Sequence, residues 1–368
     1  MRVLVAPQEF KGSLTAAEAA AAIAAGVREA RPGWDIDLLP MSDGGPGFLD
    51  AFETSIGGER VSVAAHDALL RPINASILSV TSPAGPLVIV ESAAANGLVL
   101  VAPEDRDPLS ADTYGVGELL AAAIEHRPAT VIVGVGGSAT TDGGHGMARA
   151  LGATFFDEAG RPLAPGGVSL AGLAAVHWQR PAALEAIEVV VAVDVTNPLT
   201  GPRGAAAIYG PQKGASPADV DALDAALARY SAVVRRHFGL DLASLSGAGA
   251  AGGLAGGLVA FLGARIESGF DIVARATDLE SRFRQADLII TGEGSFDAQS
   301  TQGKTTGRLL GMATRADKRS VVFAGVAPAG GRVHTLASLE PDPSKSMANA
   351  AGLLRELARH WAGRDGDR

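Results

Sequence analysis

The stretch from Val133 to Met147, Val-Gly-Val-Gly-Gly-Ser-Ala-Thr-Thr-Asp-Gly-Gly-His-Gly-Met, concentrates groups that can do chemistry. The apolar run Thr130–Val133 has the composition of a buried strand. It empties into Gly136, Gly137, Ser138, Thr140, Thr141 and Asp142, and a helix is expected near Met147. Glycines let backbone N–H groups approach an anion, hydroxyls add neutral hydrogen bonds, and a carboxylate offers a metal-capable oxygen. These parts suit an anionic substrate or a phosphoryl group. An ordinary strand–helix turn needs only two glycines and an N-cap, so the excess points to function.

Loops of the same character recur far along the chain: Ala6–Ser13, Ser42–Gly47, Asp194–Leu199, Gly210–Gly214 and Thr291–Asp297. Each follows or interrupts an apolar run. In an open α/β sheet, strand ends gather on one edge and ligands bind in the crevice there. Convergence of these loops predicts an active site in a cleft between two bodies. The elements that must position them read as strand Val3–Ala6, helix Ala16–Ala30 and strand Asp35–Pro40, then short β-rich runs from Arg60 to Ser92. Helix Ala111–Glu125, strand Thr130–Val135, a hairpin over Phe155–Gly167, strand Ile187–Val193 and amphipathic helix Pro217–Phe238 follow. Strands Asp287–Thr291 and Ser320–Ala324 and a terminal helix Ser346–Trp361 complete the reading. The glycine–alanine run Gly247–Gly257 is either tight helix packing or a close-approach loop. The alternation predicts an α/β fold of two domains. Residues 1–58 and 266–368 would form a Rossmann- or flavodoxin-like parallel-sheet domain, with 59–265 inserted as a mixed α/β domain. The strands at Thr130 and Ile187 fit either sheet.

Taken in order, the loops resemble the bacterial glycerate kinase family, the type that makes 2-phosphoglycerate. The matching pieces are Ala6-Pro-x-x-Phe-Lys-Gly-Ser13, Asp43-Gly-Gly45, Glu91-Ser-Ala-Ala-Ala-Asn-Gly97 and Thr113-Tyr-Gly115. Gly136-Gly-Ser-Ala-Thr-x-Asp-Gly-Gly144, Asp194-Val-x-Asn-Pro-Leu199, Gly210-Pro-Gln-Lys-Gly214, Gly247–Gly253 and Thr291-Gly-Glu-Gly294 continue the match from Met1 to about Ala358. The resemblance implies a two-domain α/β kinase using ATP and Mg²⁺ to phosphorylate D-glycerate on its 2-hydroxyl. The chain departs from the pattern at Gln8-Glu9 (Asp-Ser in the pattern), Pro46 (Glu), Thr141 (Asn) and Ser295 (Arg). Those departures bear on the exact hydroxy acid more than on the reaction class.

Such a reaction needs nucleotide binding, charge neutralisation and activation of a hydroxyl. No P-loop is present, because Gly303-Lys304-Thr305 is preceded by Ala298 where that motif needs glycine. Lys11 follows the first strand, where its ammonium can reach a phosphate or carboxylate; otherwise it is a surface lysine placed unfavourably at a helix N-terminus. Lys213 and Lys304 are similar phosphate candidates. Asp194 is the first choice for deprotonating the hydroxyl or holding the metal; Asp142 and Asp43 come next, and Asp43 joins Asp194 as a metal ligand. Magnesium takes few protein carboxylates, so Asp43, Asp142, Asp194, Glu293 and Asp297 cannot all bind it. A turn or N-cap role is the alternative for each. Ser13, Gly44, Gly45, Gly136, Gly137, Ser138, Thr140, Asn197 and Gly294 complete the expected substrate and phosphate contacts. His145 reads as a helix-start residue, and Arg203 and Arg308 are possible anion forks.

Bulk properties narrow the classes further. The 368 residues carry a net charge of −9 without a basic stripe, which argues against nucleic-acid binding. The absence of cysteine excludes disulfides and thiolate chemistry. A strand-like start and the absence of a long apolar run predict a cytoplasmic protein with no membrane partner. Two other readings remain: a kinase for a related hydroxy acid or one giving 3-phosphoglycerate, and a nucleotide-binding protein or oxidoreductase. The oxidoreductase lacks Gly-x-Gly-x-x-Gly after the first strand.

Overall fold

The computed structural model describes residues 1–82, 85–297, 300, 305–328 and 333–364. Its strands, in chain order, are β1 (Arg2–Val5), β2 (Asp35–Leu38), β3 (Glu59–His66), β4 (Pro72–Ser82), β5 (Gly85–Glu91), β6 (Thr130–Gly134) and β7 (Thr154–Phe156). They continue with β8 (Ala175–His177), β9 (Glu188–Ala192), β10 (Arg265–Glu267), β11 (Leu288–Ser295), β12 (Arg319–Val326) and β13 (Val333–Thr335). The chain forms two compact units. Unit 1 comprises Met1–Ser42, Asp50–Gly57 and Phe270–Arg368; unit 2 comprises Asp43–Leu49 and Gly58–Gly269.

Unit 1 holds a five-stranded sheet in the order β13-β12-β11-β1-β2, parallel at every pairing. Its inner strands are nearly continuous apolar runs, as a sheet covered on both faces requires. Val3, Val5, Leu288, Ile290 and Phe323 pack with Ile23 and Val27 of helix Ala16–Ala30 and with Leu354 and Trp361 of helix Ala350–Arg364. Helix Ala16–Ala30 starts at a capping box: Thr15 Oγ1 accepts from Glu18 N, and the Glu18 carboxylate accepts from Thr15 N. Gly26 lets the terminal helix approach, since a Cβ there would lie 2.1 Å from the Arg355 carbonyl oxygen. The terminal segment is two helices, Pro343–Ala348 and Ala350–Arg364, where the sequence suggested one.

Unit 2 holds a six-stranded mixed sheet in the order β10-β9-β6-β5-β4-β3. β3, β4 and β5 are antiparallel, and β5, β6, β9 and β10 are parallel. Both strands that sequence could not assign, β6 and β9, lie here. The Phe155–Gly167 segment does turn back on itself: Asp157 N donates to Arg161 O and Leu163 N to Phe155 O, with an antiparallel bridge from Phe156 to Pro162, while β7 also pairs antiparallel with the distant β8. Phe155 is buried in the core, its ring 5.7 Å from that of Phe261. Asp43–Leu49, expected with the chain ends, belongs to unit 2. Gly136 N donates to Gly44 O at 2.8 Å, and the Glu91 carboxylate accepts from Gly47 N and Leu49 N.

Candidate functional site

Strand register builds the site of unit 2. Glu91, Gly134 and Ala192 are aligned partners across β5, β6 and β9, and Glu267 of β10 pairs with Ala192. The loops leaving the carboxyl ends of these parallel strands therefore emerge along one edge, where open α/β sheets bind ligands. Close packing joins the loop after β6 to the Asp43–Leu49 segment. A Cβ on Gly134 would lie 2.8 Å from Gly44 O, one on Gly136 2.6 Å from the Gly45 Cα, and one on Gly137 2.8 Å from the Pro46 ring. Only glycine fits these positions, and Gly137 also has φ +74°.

Asp194 stands on this edge just past β9. It is exposed, and its Oδ1 accepts from Gly269 N at 2.9 Å. The Asp43 backbone crowds the same glycine, since a Cβ on Gly269 would meet the Asp43 carbonyl at 2.6 Å. Asp43 is also exposed, and its Oδ1 accepts from Gly45 N. The two expected metal-capable carboxylates thus belong to one neighbourhood, with Gly44, Gly45, Gly136 and Gly137 beside them.

Asp142 does something else. It is fully buried, with Oδ2 accepting from Thr113 N, Thr113 Oγ1 and Gly146 N and Oδ1 accepting from Gly144 N, at 2.7 to 3.1 Å. Thr113 Oγ1 in turn accepts from Met147 N. These bonds tie the expected catalyst to the glycine loop and to the start of the next helix. Asp112, which sequence reasoning passed over, lies alongside: it accepts from Tyr114 N, Gly166 N and Arg149 Nη1. Burial, together with the neighbouring Asp142 charge, pushes its carboxyl up to about 6.

Lys213 is likewise enclosed. Its Nζ donates to the Thr140 carbonyl at 2.5 Å and to Ser138 Oγ at 3.2 Å, and burial pulls its pKa down to about 7 against the opposing pull of Asp142. Thr140 Oγ1 accepts from Asn96 Nδ2. The loop side chains expected to meet substrate, Ser138 and Thr140, therefore turn inward. Asn197 is engaged within its own loop: Nδ2 donates to the Arg203 carbonyl, and Oδ1 accepts from the Tyr209 hydroxyl. His145 does begin a helix, buried edge-on against Phe155 at 4.4 Å. Desolvation, then the Arg149 charge, lowers its pKa to about 3.

Unit 1 presents its own loops past β1 and β11. Gln8 N donates to Gly292 O at 2.8 Å, and Thr291 Oγ1 donates to Ala6 O. Thr291–Gly294, expected as a loop, is the end of β11, and a Cβ on Gly294 would meet Lys11 N at 3.0 Å, so the Lys11 turn lies against that strand. Lys11 is exposed and Glu293 buried. Ser13 Oγ donates to the Phe10 carbonyl, and Asp297 Oδ1 accepts from Ser300 N. Arg308 is ion-paired with Asp271, and its guanidinium carbon lies 3.9 Å from the Phe270 ring centroid. Lys304 lies outside the described residues.

Asp112 and Tyr209 were missed, and Asn96 and Thr113 were noted only within matching segments, because their contacts join residues apart in sequence. The one available signal was the adjacency of Asp112 and Thr113 to Tyr114-Gly115.

Glycine loops at the carboxyl edges of parallel strands define an α/β protein. A family model described as the glycerate kinase family matches residues 3–362, and the chain belongs to that family. Its relatives include a glycerate 2-kinase of Escherichia coli K12, 41% identical over 328 residues that cover 89% of this chain and 85% of the relative. A glycerate kinase of Halalkalibacterium halodurans is 39% identical over 373 residues, covering 98% and 97%. A crystal structure described provisionally as glycerate kinase 2 of Salmonella typhimurium LT2 superposes with TM-score 0.81 at 38% identity, covering 98% and 97%. The protein is thus a kinase enzyme, and its family implies nucleotide use. Among the described residues, no helix is long and apolar enough to cross a membrane.

Proposed function

We propose that the enzyme transfers the γ-phosphoryl group of ATP to the 2-hydroxyl of D-glycerate, giving 2-phosphoglycerate, with Mg²⁺ and in the cytoplasm. The observation that carries this reading is the exposed pair Asp194 and Asp43 beside the Gly44–Gly45 and Gly136–Gly137 backbones. The printed name of the Escherichia coli relative supports the 2-position.

In this reading Asp194 accepts the proton of the attacking hydroxyl, and its bond from Gly269 N holds the carboxylate in place. The glycine backbones of the same edge position the acceptor, since alignment supplies much of the rate in phosphoryl transfer. On unit 1, the exposed Lys11 and the neighbouring Gly294 backbone offer phosphate contacts. Asp142 and Lys213 keep the loop rigid instead of reacting. Asp194 and Asp43 fit a magnesium ion, because they are exposed hard-oxygen donors grouped around Gly269. Magnesium is commonly held by one or two carboxylates together with substrate phosphates. When bound, the ion neutralises charge on the transferring group.

A kinase for a related hydroxy acid is the second reading, motivated by the departures at Gln8, Glu9, Pro46, Thr141 and Ser295. Thr141 is fully buried and Pro46 packs on Gly137, so these two act on loop shape. Ser295 is exposed. A phosphoryl-transfer assay over a panel of small hydroxy acids tests both readings. Turnover highest on glycerate supports the first, and turnover on another acid alone supports the second. No turnover on any acid sinks both.

A further inference from the structure

We propose that Arg203 binds the carboxylate of the hydroxy-acid acceptor and so determines its specificity, an assignment that rests on the kinase reading above. Both reactants are anions, yet the edge that presents Asp194 is acidic, with Asp43 and Asp194 exposed and Glu91 at the end of β5. An anion approaching that edge needs a cation to meet it. Lys213 is enclosed and committed to Ser138 and Thr140, and Arg106 donates to Gln212 O. Arg203 is exposed, and among the described residues its guanidinium has no hydrogen-bond or ion-pair partner. Sequence offered Arg203 and Arg308 as equal forks; the structure separates them, because Arg308 is paired with Asp271 and stacked on Phe270.

The backbone beneath Arg203 is tied from several sides. Its carbonyl accepts from Asn197 Nδ2 at 2.8 Å, and Tyr209 OH donates to Asn197 Oδ1 at 2.7 Å. Gly249 N donates to Asn197 O, and Gly201 N to Asp224 Oδ1. Gly204 N and Ala205 N donate to Gly201 O and Leu199 O, and Leu199 is fully buried. Such bracing fixes where the side chain starts while leaving its head in solvent. Bracing removes the backbone from the ordering cost of binding, and the planar fork of arginine matches a carboxylate through two parallel bonds. Asp194 begins the same connection. The group that activates the hydroxyl and the group that holds the carboxylate thus come from one segment, Asp194–Gly204, whose rigidity selects acids by the spacing of the two functions.

The test is steady-state kinetics of Arg203→Met and Arg203→Lys, varying D-glycerate and ATP separately, with glyceramide as the uncharged acceptor. Loss of a charge-assisted pair should raise KM for glycerate about 10–100-fold in Arg203→Met. KM for ATP should stay within about twofold, and the preference for glycerate over glyceramide should collapse. Arg203→Lys should fall between, and added guanidinium ion should partly rescue Arg203→Met. A raised KM for ATP instead would make Arg203 a phosphate anchor and overturn the assignment, as would unchanged constants for both reactants. If the wild type turns over no hydroxy acid, the kinase reading fails by itself. Calorimetric binding of glycerate to wild type and Arg203→Met without nucleotide then still decides the role of Arg203, equal affinities overturning it.

Discussion

Replacing Asp142 with Asn separates a loop-locking carboxylate from a catalytic one. The asparagine oxygen can take the place of Oδ2 and keep the three bonds from Thr113 and Gly146. The amide nitrogen must then face Gly144 N, which donates to Oδ1 in the native protein. Two donors meet, and a buried N–H is left without an acceptor at a cost of about 1–3 kcal/mol. The three remaining bonds lose their charge assistance, adding roughly 1–2 kcal/mol. The buried Lys213 also loses a neighbouring anion, but its pKa of about 7 lets it shed its proton, which limits that cost. We expect a total near 2–5 kcal/mol, and at about 2–4 °C per kcal/mol for a body of 150–250 residues, a melting temperature lower by roughly 5–20 °C. Scanning calorimetry at pH 7.5, paired with turnover measured well below the transition, reads both effects. A melting temperature within about 2 °C of wild type, with turnover reduced a hundredfold or more, would refute the structural role and restore Asp142 as a catalyst.

Three further outcomes follow from the same geometry. Asp194→Asn should melt close to wild type yet lose at least about two orders of magnitude in turnover, the scale for a base or metal ligand; intact turnover would make Asp194 a turn residue. Gly252→Ala should destabilise by several kcal/mol, because φ is +69° and the new Cβ would stand 2.0 Å from Thr140 O; urea denaturation checks this. His145 stays neutral in the folded protein down to about pH 3, whereas the unfolded chain takes up a proton near 6.5. The unfolded state therefore binds more protons between these values, and stability from this group falls with falling pH, by on the order of 4 kcal/mol in full. Asp112, raised to about 6, works the opposite way as pH falls from 6 towards 3.8. The clean observable is thus His145→Phe against wild type, with the variant losing less stability between pH 6.5 and 4 in denaturant titrations; parallel pH profiles would contradict the burial argument.

The elements most legible in sequence are those whose signals are local. Helices Ala16–Ala30 and Pro217–Phe238 have the expected ends because Thr15 with Glu18, and Ser216 with Asp219, form capping boxes, and Gly239 closes the second helix in a left-handed conformation. The buried runs of β6 and β9 were equally plain. The run Gly247–Gly257 combines both alternatives offered for it: positive φ at Ala251, Gly252 and Gly253 leads into helix Leu254–Leu262, and Gly257 packs against Gly143 O. Of the candidate site, the loops were legible from composition, but the direction each side chain faces was not. Thr113 lies 29 residues from Asp142, and Ser138 and Thr140 lie 75 and 73 residues from Lys213. A lysine between glycines looks the same in sequence whether it reaches a ligand or a neighbouring loop, and only the tertiary contact tells the two apart.

The product of one reaction decides most directly what this enzyme does. Wild-type enzyme given ATP, Mg²⁺ and D-glycerate should form 2-phosphoglycerate, identified by its phosphorus NMR resonance and proton coupling. Exclusive formation of 3-phosphoglycerate, or no phosphorylated glycerate while another hydroxy acid is turned over, would contradict it.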